Sequence, residues 1–166
     1  MKLIVMLAVA CMLATSTLAF GFEDAIATLA GFMAAIVHKD NLKEMLTCAD
    51  DSGSLVGDVE ELITDVKSFN FVSIFKAIEM SGKIIGEAPF ILRECKNIQD
   101  DLDIVAQQAQ IFGNIGELTE RITKNYVWHY SEIMSDFQVA NADASQGDYY
   151  GFGENMGNAV FTALQP

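Results

Sequence analysis

The chain has 166 residues, 51% of them hydrophobic, and a formal net charge of -13 at pH 7. So acidic a surface repels phosphate backbones and anionic headgroups, which sets nucleic acid aside as a partner and favours solubility and cations. Three cysteines and two histidines leave little from which to build a zinc centre of several ligands.

Residues 1–19, MKLIVMLAVACMLATSTLA, read as a cleaved secretory signal peptide. Lys2 is the positive n-region, residues 3–13 are an uncharged apolar run, and Thr17-Leu18-Ala19 is the cleavage site. The alternative is a signal anchor, but a spanning helix wants roughly 20 apolar residues and this run is shorter. Cleavage leaves one domain, residues 20–166, long enough to bury a core. It also makes the chain one unit more negative by removing Lys2. Secretion, or residence in the secretory-pathway lumen, follows, with no integral span in the mature chain. Cys11 leaves with the signal peptide, and Cys48 and Cys95 then allow a single pairing; the alternative is two free, buried thiols. No Asn-x-Ser/Thr sequon occurs, so N-glycans are not expected.

Along the mature chain apolar residues recur at three and four, which predicts helices throughout and no strand. Residues 23–37 form a helix that is nearly uncharged from Ala25 on. Residues 41–47 form a short helix or turn leading to Cys48. Residues 54–69 carry Leu55, Val59, Leu62, Val66 and Phe69 on one face, with Ser54 as N-cap. Phe71, Phe75, Ile78, Gly82 and Ile85 mark the next helix. Pro89 is placed at the start of another, whose stripe runs Ile91, Cys95, Ile98, Leu102, Val105, Ala109, Phe112. A long helix over 116–140 carries Leu118, Ile122, Tyr126, Tyr130, Ile133 and Phe137. The polar NADASQG, residues 141–147, reads as a turn before the last helix. The expectation is an all-α bundle of about six helices with one disulfide.

The last helix has Tyr150, Gly153, Gly157, Val160 and Leu164 on one stripe, although a glycine inside a helix costs up to about 1 kcal/mol relative to alanine. Small residues four apart let two helix backbones approach closely, a device of membrane helices that also works in a soluble core. Gly82 and Gly86 repeat the spacing. A constant shift pairs Gly82 with Gly153, Gly86 with Gly157, Ala88 with Ala159 and Asp65 with Asp136, the trace of an internal duplication. The close-packing reading stands without it.

The signal peptide, the first cysteine with its acids (CADD), GKIIGEAPFILREC, the acidic KNIQDDLDIV and the ending GDYYGFGENMGNAV together resemble uncharacterised small secreted all-helical proteins of ciliate protists with a single cysteine pair. The resemblance spans most of the mature chain. It implies secretion and the Cys48–Cys95 pairing, and brings no catalytic residue with it.

Chemistry-bearing motifs are absent: His38 and His129 lie in different helices without ligand-spaced partners, and there is no GxSxG, HExxH, P-loop or dinucleotide glycine pattern. A Cys–His nucleophile pair would need a free cysteine. Asn141, Asp143, Ser145 and Asp148 resemble a calcium loop, but Gln146 and Phe152 stand where an EF-hand needs Gly and Glu, and an Asx turn capping the last helix explains them. Asp50-Asp51 and Asp100-Asp101 read as solvated faces. No enzyme, cofactor or metal is expected.

AIATLAGFMAAIV, residues 25–37, is apolar nearly all round and follows Phe20 and Phe22. Such a helix is buried centrally, lines a lipid-sized cavity or meets another subunit. Phe22, Ile26, Leu29, Phe32, Ile36, Tyr126 and Tyr130 are the candidate ligand or interface residues. Trp128, Tyr149 and Tyr150 add aromatic surface. Eleven Phe and eight Met exceed what one core seam needs. The expected function is therefore non-catalytic binding of a hydrophobic small molecule or lipid between helices. The alternative is a self-associating subunit of an extracellular coat or filament that docks through segment 20–37.

Overall fold

The computed structural model of the chain describes residues 20–50 and 53–166; the signal-peptide reading of residues 1–19 lies outside the described residues. Among these, eight α-helices, two 3-10 turns and no strand are found. We number the helices α1 (Phe22–Val37), α2 (Leu42–Cys48), α3 (Gly53–Val66), α4 (Phe71–Ile91), α5 (Gln99–Ala109), α6 (Ile115–Trp128), α7 (Tyr130–Gln146) and α8 (Tyr149–Leu164). The all-α architecture is the expected one, built from more and shorter helices.

The apolar α1 is the central core helix. Ala25, Ile26, Leu29, Ala30 and Phe32 have no exposed surface. Glu23 and Asp24 favour its N-terminal dipole, and Asp24 accepts from the Gly21 N–H at 2.9 Å. It ends where the His38 N–H donates to the Ala34 carbonyl at 2.8 Å, with His38 itself left-handed at φ 54°.

Glycine makes room for α8 against α1. A β-carbon on Gly153 would overlap the carbonyl of Thr28, one on Gly31 the carbonyl of Tyr150, and one on Gly157 would press on the Ala35 methyl at 2.5 Å. The notch predicted in α8 is thus real, and Gly31 is its unforeseen counterpart. Gly82 is notched differently: the Phe112 ring lies over it. Gly86 corrects the expectation, because it is exposed and a β-carbon there would meet nothing within 4 Å. The pairing of Gly86 with Gly157 therefore matches no shared packing role.

Four boundaries also differ. Pro89 lies inside the last turn of α4, not at a helix start; it gives up the hydrogen bond to the Ile85 carbonyl and crowds that carbonyl, and α4 ends two residues later at Ile91. Ile91, Cys95, Ile98, Leu102 and Val105 are all buried, but over three pieces: the end of α4, a connecting turn and α5. The 116–140 helix is broken at His129 (φ -115°, ψ 23°) into α6 and α7. The polar 141–147 is helical to Gln146, because Ala142 and Ala144 support the helix and Gly147, at φ 78°, supplies the left-handed stop. Finally, α3 begins at Gly53 and stops at Val66, so Ser54 is not its N-cap and Phe69 stands beyond it, exposed.

Cys48, closing α2, and Cys95, in the α4–α5 connection, form the disulfide, with Cα atoms 5.2 Å apart. In the chain-entropy account a loop of 47 residues makes such a bridge worth about 4 kcal/mol. A polar tie reinforces the same corner: Lys39 Nζ and the buried Asn41 Nδ2 each donate at 2.8 Å to Oδ2 of Asp101, in the first turn of α5.

Candidate ligand cavity

Where α1, α4, α6 and α8 converge, the packing leaves a cavity of about 340 Å³. Its walls are Ile36 of α1, Ile85 of α4, Ile111 and Phe112 of the 3-10 turn after α5, and Val160, Phe161 and Leu164 of α8. Its size falls in the range of small-molecule sites, roughly 300–1,000 Å³. Gly82 shapes it from behind: only because that position lacks a side chain does the Phe112 ring settle on α4 as a wall.

Arg121 is the one charged side chain on this wall. Its Nη1 donates to the Leu164 carbonyl at 2.9 Å, and Nη2 pairs with Glu117 one turn earlier. Asn125, on the same side of α6, donates to the carbonyls of Ala163 at 3.1 Å and Gln165 at 2.8 Å. Lys124 Nζ donates to that of Pro166 at 3.2 Å. These donors satisfy the carbonyls of Ala163 and Leu164, which have no partner within α8, and those of the two residues that follow it. They also fix Gln165 and Pro166 as part of the cavity rim.

A second, open cleft of about 510 Å³ adjoins it and shares Ile36, Gln108, Phe161 and Gln165 with it. Here the lining is polar: His38 from the end of α1, Glu132 and Asp136 from α7, Asn158 and Thr162 from α8. No lysine or arginine lines it. Burial, and then the charge of Glu132 one turn away, push the Asp136 carboxyl above its ordinary range. Glu132 is paired with His129 Nδ1 at 3.3 Å.

Of the candidate ligand or interface residues named from the sequence, Ile36 alone lines the cavity or the cleft. Ile26, Leu29 and Phe32 are wholly buried in the α1–α8 core and present no surface to a neighbouring chain. Phe22 is half-buried at the start of α1. Tyr126 and Tyr130 belong to a separate aromatic group: Tyr126 lies edge-on to Phe71 (4.9 Å between ring centres) and to Tyr130 (5.2 Å). Tyr149 packs edge-on against Phe20 at 4.9 Å. Asp148 does cap α8, accepting from the Gly151 N–H at 2.9 Å, while Asp143 accepts from Asn155 at 2.8 Å. No group of three or more His, Cys, Asp or Glu suited to a metal ion occurs among the described residues. None of their helices is long and apolar enough to cross a membrane.

Sequence reasoning missed Ile85, Ile111, Phe112, Val160, Phe161 and Asp136 as site residues. Each sits on an ordinary apolar or polar helix position, and only the fold brings them together. Comparison of the chain with protein-family models, with curated proteins and with solved structures returns no match.

Proposed function

We propose that the protein is a secreted, non-catalytic binder that carries a hydrophobic small molecule or lipid between its helices. The supporting observation is the cavity walled by Ile36, Ile85, Ile111, Phe112, Val160 and Leu164, apolar apart from a few polar groups at its rim. A disulfide between α2 and the α4–α5 connection suits an oxidising compartment, and the suite of small secreted helical proteins that the sequence resembles agrees with that setting. The test is native mass spectrometry of protein secreted from eukaryotic cells, with lipid extraction of the same sample. A monomer carrying extra noncovalent mass supports the reading. Ile111→Trp, which fills the cavity from a half-buried position, should abolish that mass while the circular dichroism spectrum is kept. A bare monomer that also binds no added apolar probe overturns it.

One observation favours self-association as a second reading. Trp128 and Val127 are 78% and 71% exposed, and with Phe71, Val72 and Tyr130 they supply apolar surface where α6 meets α7 and where α4 begins. Assembly would then use this face, not segment 20–37. Size that rises with concentration, and ceases to rise in Trp128→Ser, would favour this reading.

A further inference from the structure

The cavity and the cleft beside it differ in character yet share one wall, Ile36 and Phe161. A ligand occupying both has an apolar part and a polar part. We propose that the ligand is a cationic amphiphile, its apolar tail in the cavity and its amine or quaternary ammonium in the cleft, facing Asp136 and Glu132. The proposal rests on the binding function above and adds the sign of the headgroup.

Three observations set that sign. First, the charged groups of the cleft are carboxylates, Asp136 and Glu132 from α7, which line it with His38 from α1 and the neutral Asn158, Thr162, Gln108 and Gln165. Asp136 has no ion-pair partner among the described residues, and Glu132 is tied through one oxygen to His129 Nδ1 at 3.3 Å. A cation within about 4 Å of a carboxylate gains Coulomb energy there, and an anion loses it. Second, Arg121, the cation that an anionic headgroup would seek, is engaged twice, with Glu117 and with the Leu164 carbonyl. Using it would strip the end of α8 of a donor. Third, the chain's net charge of -13 raises the local concentration of cations and lowers that of anions. A fatty acid would meet repulsion at the cleft and an occupied arginine in the cavity.

The experiment titrates the full secreted protein, below micelle-forming concentrations, with dodecylamine, dodecyltrimethylammonium, dodecanol and dodecanoate, which share one tail. Binding is read by calorimetry at low and at moderate salt. The amine and the ammonium should bind about tenfold or more tighter than dodecanol, as one close charge contact at a protein surface allows, and dodecanoate should bind most weakly. Asp136→Asn and, separately, the exposed Glu132→Gln should reduce the cation preference, lowering amine and ammonium affinity by more than dodecanol affinity. Added salt should do the same. Dodecanoate binding as tightly as dodecylamine, or a cation preference unaltered in both variants, overturns the proposal while leaving the binding function standing. Failure of all four probes to bind overturns both.

Discussion

Gly153 lies against Thr28 so closely that a β-carbon on the glycine would occupy the place of the threonine carbonyl oxygen. The obstacle is backbone of the central helix, which has no rotamer to change. Gly153→Ala should therefore cost at least the roughly 1–3 kcal/mol of an overpacked core. Gly86→Ala is the control, a helix position open to solvent, where alanine should stabilise by about 0.5–1 kcal/mol. Urea denaturation of the two variants decides it. If both shift the midpoint the same way, close packing is not what keeps glycine at 153.

The disulfide predicts a second separation. Cys48→Ala with Cys95→Ala should lower stability by about 4 kcal/mol in the chain-entropy account, and reduction of the wild type should reproduce that loss. Cys95 is buried, so its replacement also removes core contacts, and reduction of the wild type, which keeps both side chains, isolates the bridge itself. A double variant as stable as the oxidised protein would show that the bridge constrains little.

How much of this was legible beforehand depended on the range over which each signal acts. Helix content and much of the buried set followed from spacing: Leu55, Val59, Leu62, Leu102 and Val105 are in the core where the stripes put them, whereas Phe69, Phe71 and Tyr130, on the same kind of stripe, are exposed. Boundaries were misread where one residue has two local meanings. Pro89 reads as a helix start because proline suits a first turn, yet tertiary packing carries α4 through it, and NADASQG contains turn-formers beside the alanines that keep it helical. The 4-3 stripe through Cys95 survived a break in the helix because burial, not continuity, is what the spacing records. Gly31 went unremarked because a glycine within an apolar run carries no stripe of its own. The cavity was least legible: Ile36, Ile85, Ile111 and Leu164 are far apart in the chain, and no periodicity links them.

The end of α8 offers a third prediction. Asn125 is 3% exposed and its amide serves two carbonyls, those of Ala163 and Gln165. Asn125→Leu removes both bonds and should cost about 1–3 kcal/mol, the penalty for buried acceptors left without donors. Because Gln165 and Pro166 rim the cavity, the same change should weaken binding of an apolar probe. Stability and binding measured on this variant should fall together; unchanged stability would mean the strap is held by Arg121 and Lys124 alone.

Asp101 carries a pH signature of the α1–α5 corner. The hydrogen bond from Lys39 first, and that from Asn41 after it, outweigh burial and hold its carboxyl below the ordinary value. A carboxyl depressed on folding contributes stability that is present above its unfolded pKa and is lost as pH falls through the folded one. Asp101→Asn should therefore lower the thermal midpoint at pH 7. The gap to wild type should close as the pH falls through that depressed range, and salt should narrow it at pH 7 by screening the exposed Lys39. A gap that persists unchanged into acid would assign the effect to shape and not to charge.

Asp136 should behave in the opposite sense. Burial, and the neighbouring Glu132, raise its pKa on folding, so its charged form opposes the folded state at neutral pH. Stability linked to this group is present below the unfolded pKa and is lost as pH rises through the raised folded value. Asp136→Asn is then expected to raise the midpoint at pH 7, with the advantage over wild type vanishing in acid. A carboxylate kept where it destabilises the empty protein is what a cation-binding cleft requires, since the arriving positive charge relieves that penalty. Dodecylamine should accordingly raise the midpoint of wild type more than that of Asp136→Asn, and by a wider margin than dodecanol does. A variant less stable than wild type at pH 7 would mean that the Asp136 carboxylate already has a stabilising partner in the folded chain and does not await one.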